Sequence, residues 1–231
     1  MMEGREAVSK KRLVLRVCIS LVLILAIFFI PAGTLRWPQA WVFLVLYVSA
    51  VAGFYLYTKK KDPGLLKERM SPPKNVKAWD RRIIRVYSLL LAAMIVLIGL
   101  DAVRFRWSQV SLGWNVLGFG GLFLAMSLAF WATRENTFAS QVVRIQEDRG
   151  HRVCSTGPYA HVRHPMYAGV ILSIISFPPA LGSLFAFIPA GFIVGLFILR
   201  TSLEDKTLQE ELPGYREYAQ KVRFRLIPGV W

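Results

Sequence analysis

Arg200 and Glu204 stand where the last apolar run of the chain meets polar sequence. Four residues apart, they share one face of a helix. The pair reads in two ways. It is a helix end whose charges snorkel to an interface, or it is a binding pair. In the second reading Arg200 offers a bidentate fork to a carboxylate or phosphate, and Glu204 holds a cation or accepts from hydroxyls and amines. A second stretch, Arg163-His164-Pro165, opens another apolar segment. Proline suits the first turn of a helix and pushes the residue before it into extended backbone. His164 is therefore held as an elbow at a helix start, with the amphipathic ring of Tyr167 just beyond, at headgroup depth. A third stretch, RIQEDRGHRVCSTGPY over 144–159, gathers charge, a histidine and a cysteine before that elbow. His151, His161 and His164 lack companions at metal-ligand spacing, so no metal is expected. No serine–base arrangement for nucleophilic catalysis is present.

The elements that must position these residues are apolar helices. Of 231 residues, 55% are hydrophobic. Runs of about 18 or more apolar residues read as membrane spans, and four qualify: 13–33, 38–58, 83–103 and 110–132. A fifth block, 166–199, is too long for one span. Pro178 and Pro179, then Gly182, are expected to break it into a hairpin of 166–177 and 183–199, whose first arm is short for crossing alone. Backbone polar groups in lipid need internal partners, so an all-α, polytopic helix bundle is expected. Gly113, Gly118, Gly120 and Gly121 are expected to let helices approach closely, not to cradle phosphate, since no strand precedes them. Two units follow: N-terminal helices over 1–132 with a basic loop at 59–82, and a polar, chemistry-bearing region over 133–231. Within the loop, DPGLLKERM reads as a solvated loop or as a short interfacial helix with Leu65, Leu66 and Met70 toward lipid. The tail 202–222 reads as helix, a turn at Pro213–Gly214, and a second short helix.

The net charge of +15 is distributed as a topology signal. Lys10, Lys11 and Arg12 precede the first span, and nine basic residues from Lys59 to Arg82 fill the second connection. The alternate connections carry Arg36, or Arg104 and Arg106, or no charge. By the positive-inside rule both termini face the cytoplasm, and the hairpin counts as two passes. The protein is expected to be an integral, multi-pass membrane protein that meets membrane lipids and no nucleic acid. Its first apolar run is longer than a signal-peptide core and reads as an uncleaved anchor. Cys18 and Cys154 do not form a disulfide framework, and both are expected to be reduced.

From Gly150 to Gly169 the chain reads GH-x-V-x-x-x-GPY-x-x-x-RHP-x-Y-x-G. R-x-x-x-E at Arg200 and Glu204, then Leu208, Tyr215, Tyr218 and a closing RLIP at 225–228, complete a pattern over about 133–228. The pattern resembles the isoprenylcysteine carboxyl methyltransferase family, part of a broader group with the phospholipid methyltransferases. The resemblance implies an S-adenosylmethionine site enclosed by the hairpin, the loop before it and the tail. It implies contacts to the cofactor from His151, Arg152, Val153, Cys154, Tyr159, His164, Pro165, Tyr167 and Glu204. It implies two catalytic arginines, Arg200 toward the substrate and Arg163 in support. The family often has glutamine where Arg144 stands, and a second glutamate where this chain has Asp205. The acceptor implied is lipid-soluble, with a prenylcysteine-type carboxylate favoured over a phospholipid amine. Sterol reductases of the C14 type also look similar over RHP-x-Y and the tail, and would use NADPH. A non-catalytic membrane scaffold or transporter subunit is a third reading.

Overall fold

The computed structural model describes residues 19–72 and 75–231. The chain folds into helices, and no strand occurs among the described residues. Helix α1 spans Ile19–Ala32. It is followed by α2 (Pro38–Lys61), α3 (Pro63–Met70), α4 (Ala78–Ile98), α5 (Leu112–Glu135), α6 (Pro165–Leu181), α7 (Phe187–Glu211) and α8 (Tyr215–Lys221). Among the described residues four helices are long and apolar enough to cross a membrane: α2, α4 with its extension to Arg104, α5 and α7. The expected bundle is what forms. The basic stretch before the first span, the start of that span and Cys18 lie outside the described residues.

Apolar composition located the spans but not their ends. Helix α4 begins at Ala78 rather than 83, so Asp80, Arg81 and Arg82 are helical and not part of the loop at 59–82. Long basic side chains extend from a helix end toward water, so charge does not stop a helix at the interface. Helix α4 closes in a π-helical turn, Gly99–Arg104. There the buried carboxylate of Asp101 accepts from the Ser108 amide (2.8 Å) and hydroxyl (2.7 Å) and from the Ser183 hydroxyl (2.5 Å). That cluster ties the α4–α5 connection to the α6–α7 turn at one end of the bundle. At the other end Arg69 donates to the Ala139 carbonyl at 2.7 and 3.0 Å, and Lys77 pairs with Glu211 at 2.6 Å. Connections 62–77 and 136–164 and the end of α7 therefore share one face.

The hairpin forms, with its break displaced. Pro178 and Pro179 were expected to interrupt the helix; instead both lie inside α6, which runs on to Leu181. Their missing N–H groups fall in the last turn, and the real stop is Gly182 at φ 88°. The Ser183 amide reaches back to the Pro178 carbonyl at 3.0 Å and the Gly182 amide to that of Pro179 at 3.3 Å, which is the Schellman closure of a helix. Asn115 of α5 donates to the Pro179 carbonyl at 2.8 Å, so the polar side chain inside the bundle is accounted for. The seventeen residues of α6 rise about 25 Å, short of a hydrocarbon core of about 30 Å.

Helices α5 and α6 form the tightest pair. A Cβ on Gly118 would lie 2.3 Å from the Ala180 backbone nitrogen, and one on Gly121 would lie 2.2 Å from Ser176 Oγ. Gly120 faces open space, and Gly113 is near only its own turn. Only two of the four glycines are thus packing glycines, because only they lie on the stripe facing α6. Gly118→Val is expected to cost about 1–3 kcal/mol by overpacking, read as a lower unfolding midpoint in detergent. Gly120→Val is expected to leave the midpoint unchanged.

Short helix α3 does form, capped by Asp62, whose side chain accepts from the Leu65 amide at 2.9 Å. Leu65 does not face lipid: it is 1% exposed, buried in the protein, while Met70 remains 60% exposed. The charged face of α3 explains this orientation. Glu68 pairs with Arg144 at 2.9 Å, which turns α3 onto the 136–164 connection and its leucine inward. The tail follows its expected course, with Gly214 at φ 79° making the turn into α8.

Candidate active site

The elbow is built by two clamps. Pro165 starts α6, and His164 precedes it at φ −126°. The Arg163 amide donates to the Phe224 carbonyl at 2.9 Å, and the His164 amide to that of Arg225 at 2.8 Å. The tail after α8 therefore returns across the elbow and fixes it from outside. Gly157 of the GPY turn sits at φ +58°, and a Cβ there would lie 2.5 Å from Glu135 Cγ. That position fits glycine alone, and it delivers Tyr159 into the interior. The Tyr218 hydroxyl donates to the Tyr159 carbonyl at 2.7 Å, joining α8 to the same turn.

Between the elbow, the 136–154 connection and the tail lies a pocket with about 740 Å³ of empty space, its open mouth included. Its wall contains His151, Arg152, Val153, Cys154, Tyr159, Arg163, His164, Tyr167 and Glu204. Pro165 is buried but does not line it, and neither does Arg200. Leu208, Tyr215 and Tyr218 of the pattern also reach the wall, and residues unmarked in the sequence complete it: Asn136, Phe138, Gln146, Met166 and Leu212 among them. Hydrophobic periodicity on α7 and α8 signals Leu208, Leu212 and Tyr215 as buried, but not what they border.

Arg163 and Asp205 hold the floor. The Asp205 carboxylate is fully buried and accepts from Arg163 Nε (2.7 Å) and Nη2 (2.9 Å). It also accepts from Tyr215 Oη (3.1 Å), Gln209 Nε2 (2.8 Å) and Arg225 Nε (3.0 Å), with His164 Nε2 at 3.2 Å. The remaining Arg163 nitrogen, Nη1, donates to the Val222 and Arg223 carbonyls, both at 2.8 Å. Burial alone lowers the Arg163 pKa, but the hydrogen bond and charge of Asp205 outweigh it, and the net shift is upward. Tyr215 is pushed up, by burial first and by the Asp205 charge next. Asp205 therefore does not stand in for an acid facing the pocket. It is the node where the elbow, α7, α8 and the strap after it are tied.

The chain's departure at Arg144 has an equally local explanation. Arg144 pairs with Glu68 and with Asp148, each at 2.9 Å. Its hydrogen bonds to these two carboxylates raise its pKa above the ordinary arginine value, so its guanidinium is committed to the roof of the pocket. A glutamine does reach the wall, two residues on. Gln146 is buried, donating to the Phe138 carbonyl at 2.7 Å.

His151 closes the roof as a neutral ring. Burial first, then the charges of Arg144 and Arg149, lower its pKa from 6.5 to about 4. Its Nδ1 accepts from the Gln146 amide at 3.3 Å, which requires that nitrogen to be unprotonated. In the unfolded chain the ring takes up a proton below about pH 6.5. The folded state binds fewer protons over that range, so the contribution of His151 is complete above pH 6.5. It declines as pH falls and levels off near pH 4. Unfolding midpoints between pH 7.5 and 4.5 are expected to fall for the wild type, and to fall less steeply for His151→Gln.

Glu204 and Arg200 share a helix yet serve different spaces. Glu204 lines the pocket and accepts a hydrogen bond from the Tyr167 hydroxyl. The Tyr167 ring stacks parallel to His164 at 5.7 Å between centroids. Its other neighbour is Arg200, whose guanidinium carbon lies 5.0 Å from the ring centre. Tyr167 is thus a partition between the pocket and Arg200. Arg200 in turn is held by Asp80 of α4, with Nε to Oδ1 at 2.8 Å and Nη2 to Oδ2 at 3.3 Å. Asp80 had no signal in the sequence, being one acid in a basic connection.

The sequence that builds this site matches one family model. The model of the isoprenylcysteine carboxyl methyltransferase (ICMT) family matches residues 117–210. Residues 117–210 are an ICMT-family region. The resemblance drawn from Gly150–Gly169 and from Arg200 and Glu204 is borne out, and the protein is accordingly a membrane methyltransferase. No curated protein matches the chain. The ICMT-family region takes in most of α5, the roof connection, α6 and nearly all of α7. Helix α8 and the strap after it lie beyond it, as do α3 and Asp80. Among the described residues no group of three histidine, cysteine or acidic side chains gathers as a metal site would. Cys154 is a free thiol.

Proposed function

We propose that the protein transfers the methyl group of S-adenosylmethionine to a lipid-like acceptor at the cytoplasmic face of the membrane, with a prenylcysteine-type carboxylate as the favoured acceptor. One observation carries the reading: Tyr167 divides a pocket whose wall contains one acid, Glu204, from a buried arginine on its other side. The pocket fits the cofactor. Phe138, Val153, Leu208 and Leu212 supply apolar wall for a nucleoside, and Glu204 supplies negative charge for an amino or sulfonium group.

When bound against Glu204 and the apolar wall, the cofactor would supply an activated methyl group for the acceptor oxygen, with its sulfur as the leaving group. The chain's residues need only bind, align and exclude water. Near-attack alignment of this kind is worth up to about 7–11 kcal/mol. A carboxylate nucleophile is ionised at neutral pH, so no side chain has to take a proton. Tyr167, braced by His164 on one face and Glu204 at its hydroxyl, sets the line between the two spaces. Arg200 orients the acceptor. An acceptor with a long hydrocarbon tail gains about 0.8 kcal/mol per buried CH₂ by remaining in lipid, which suits a site at the end of a membrane bundle.

Binding of labelled S-adenosylmethionine to the protein in lipid nanodiscs is the test, with NADPH as comparator. Saturable binding of the first alone is expected, followed by a base-labile methyl ester in lipid extracts. Absence of saturable binding sinks the reading. A base-stable N-methyl product would transfer it to phospholipid amines.

A further inference from the structure

We infer that Asp80 is a positioning residue that sets both the direction and the net charge of Arg200, so that the acceptor anion meets one free donor on a neutral pair. The inference rests on the proposed methyl transfer to a carboxylate and gives that site its specificity rule. Asp80 sits in the first turn of α4, is fully buried, and lies outside the ICMT-family region. Its carboxylate takes Arg200 Nε and Nη2, and its Oδ2 also accepts the Val143 amide at 2.8 Å. The same Arg200 Nη2 donates to the Gln141 carbonyl at 2.9 Å. Three helical and loop elements are therefore locked around one guanidinium.

What remains open is Nη1. Among the described residues nothing accepts from it, and no buried side-chain nitrogen or oxygen there lacks a partner. Nη1 therefore reaches accessible space, on a residue otherwise 93% covered, its exposure being 7%. An anion arriving there finds a single-pronged contact rather than a fork, because Asp80 occupies the forked edge. It also finds an arginine whose charge is already balanced. That balance favours turnover. A carboxylate loses negative charge as its oxygen takes the methyl, so surplus positive charge stabilises the bound reactant more than the transition state. An unpaired Arg200 would hold the acceptor tightly and slow its reaction.

The test uses N-acetyl-S-farnesylcysteine as the acceptor probe, with full-length wild type, Asp80→Asn, Arg200→Gln and the double variant in nanodiscs. Asp80→Ser, which keeps an acceptor near the Val143 amide, is the second route if Asp80→Asn does not fold. Probe binding without methyl donor is measured first, then KM and kcat. Loss of the Asp80 charge is expected to tighten probe binding and lower KM by about tenfold, between the values that one uncompensated charge gives in water and near a protein surface, while kcat falls. The effect is expected to vanish in the Arg200→Gln background. A merely structural Asp80 gives the opposite: weaker or unchanged binding, and the same loss in both backgrounds, which overturns the inference. Tighter probe binding with no methyl ester formed even by wild type would support the anion site and refute the methyl-transfer reading. No probe binding by wild type refutes both.

Discussion

Asp205→Ala is expected to destabilise the protein by about 3–5 kcal/mol, because removing one partner of a buried ion pair leaves uncompensated charge. The case is severe here since two arginines lose their acid. Arg163 would keep the Val222 and Arg223 carbonyls on Nη1, but Nε and Nη2 would face a cavity. Arg225 would lose its 3.0 Å contact, and Tyr215 and Gln209 their shared acceptor. The elbow is pinned by backbone bonds to 224–225, and the side-chain node is what holds that strap in register. The pocket should therefore loosen along with the fold. The measurement is a thermal unfolding curve in detergent together with cofactor binding. Asp205→Asn is expected to lie between, because it keeps an acceptor and the shape while surrendering the charge. An unfolding midpoint unchanged by Asp205→Ala would mean that the node contributes nothing.

The second large effect is confined to binding. Glu204→Gln keeps length, shape and an oxygen for the Tyr167 hydroxyl, so the fold should hold and the unfolding midpoint should stay near that of the wild type. What disappears is the acid in the pocket wall. Hydrogen bonds to charged groups are worth about 1.5–3 kcal/mol, so S-adenosylmethionine affinity is expected to fall roughly 10-fold to 100-fold. Tyr167→Phe should cost less, since it removes a partition contact and leaves the carboxylate. Equal affinity of Glu204→Gln and wild type would remove Glu204 from the cofactor site. The contrast between 204 and 205 is itself informative: adjacent acids on α7, one felt in binding and the other in folding.

Much of this was legible because it is local. Proline after His164 dictates an elbow and a helix start whatever surrounds it. Pro213–Gly214 dictates a turn between two helices. Apolar runs with few charges dictate spans, since lipid leaves the backbone no other way to satisfy its polar groups. The misread boundaries were those where local rules compete. Pro178 and Pro179 look like a break, yet both fall within the last turn of α6, and it is Gly182 that closes the helix. Leu65 looks like a lipid contact, yet the Glu68–Arg144 pair rotates α3 and buries it.

By itself the sequence determined that the chain is a bundle of apolar helices, that His164 is an elbow at the start of α6, and that Arg200 and Glu204 lie on one helix face. Spacing along a helix fixes such relations without reference to anything else. Only the tertiary structure decided that Tyr167 comes between the two charges, that Asp80, 120 residues away in the chain, takes hold of Arg200, and that Asp205 turns from the pocket to gather five hydrogen-bonding side chains around itself. Buried charges must find partners, but the chain announces only that they need them. Which carboxylate meets which guanidinium is settled when helices distant in sequence pack, and that packing is a property of the whole fold.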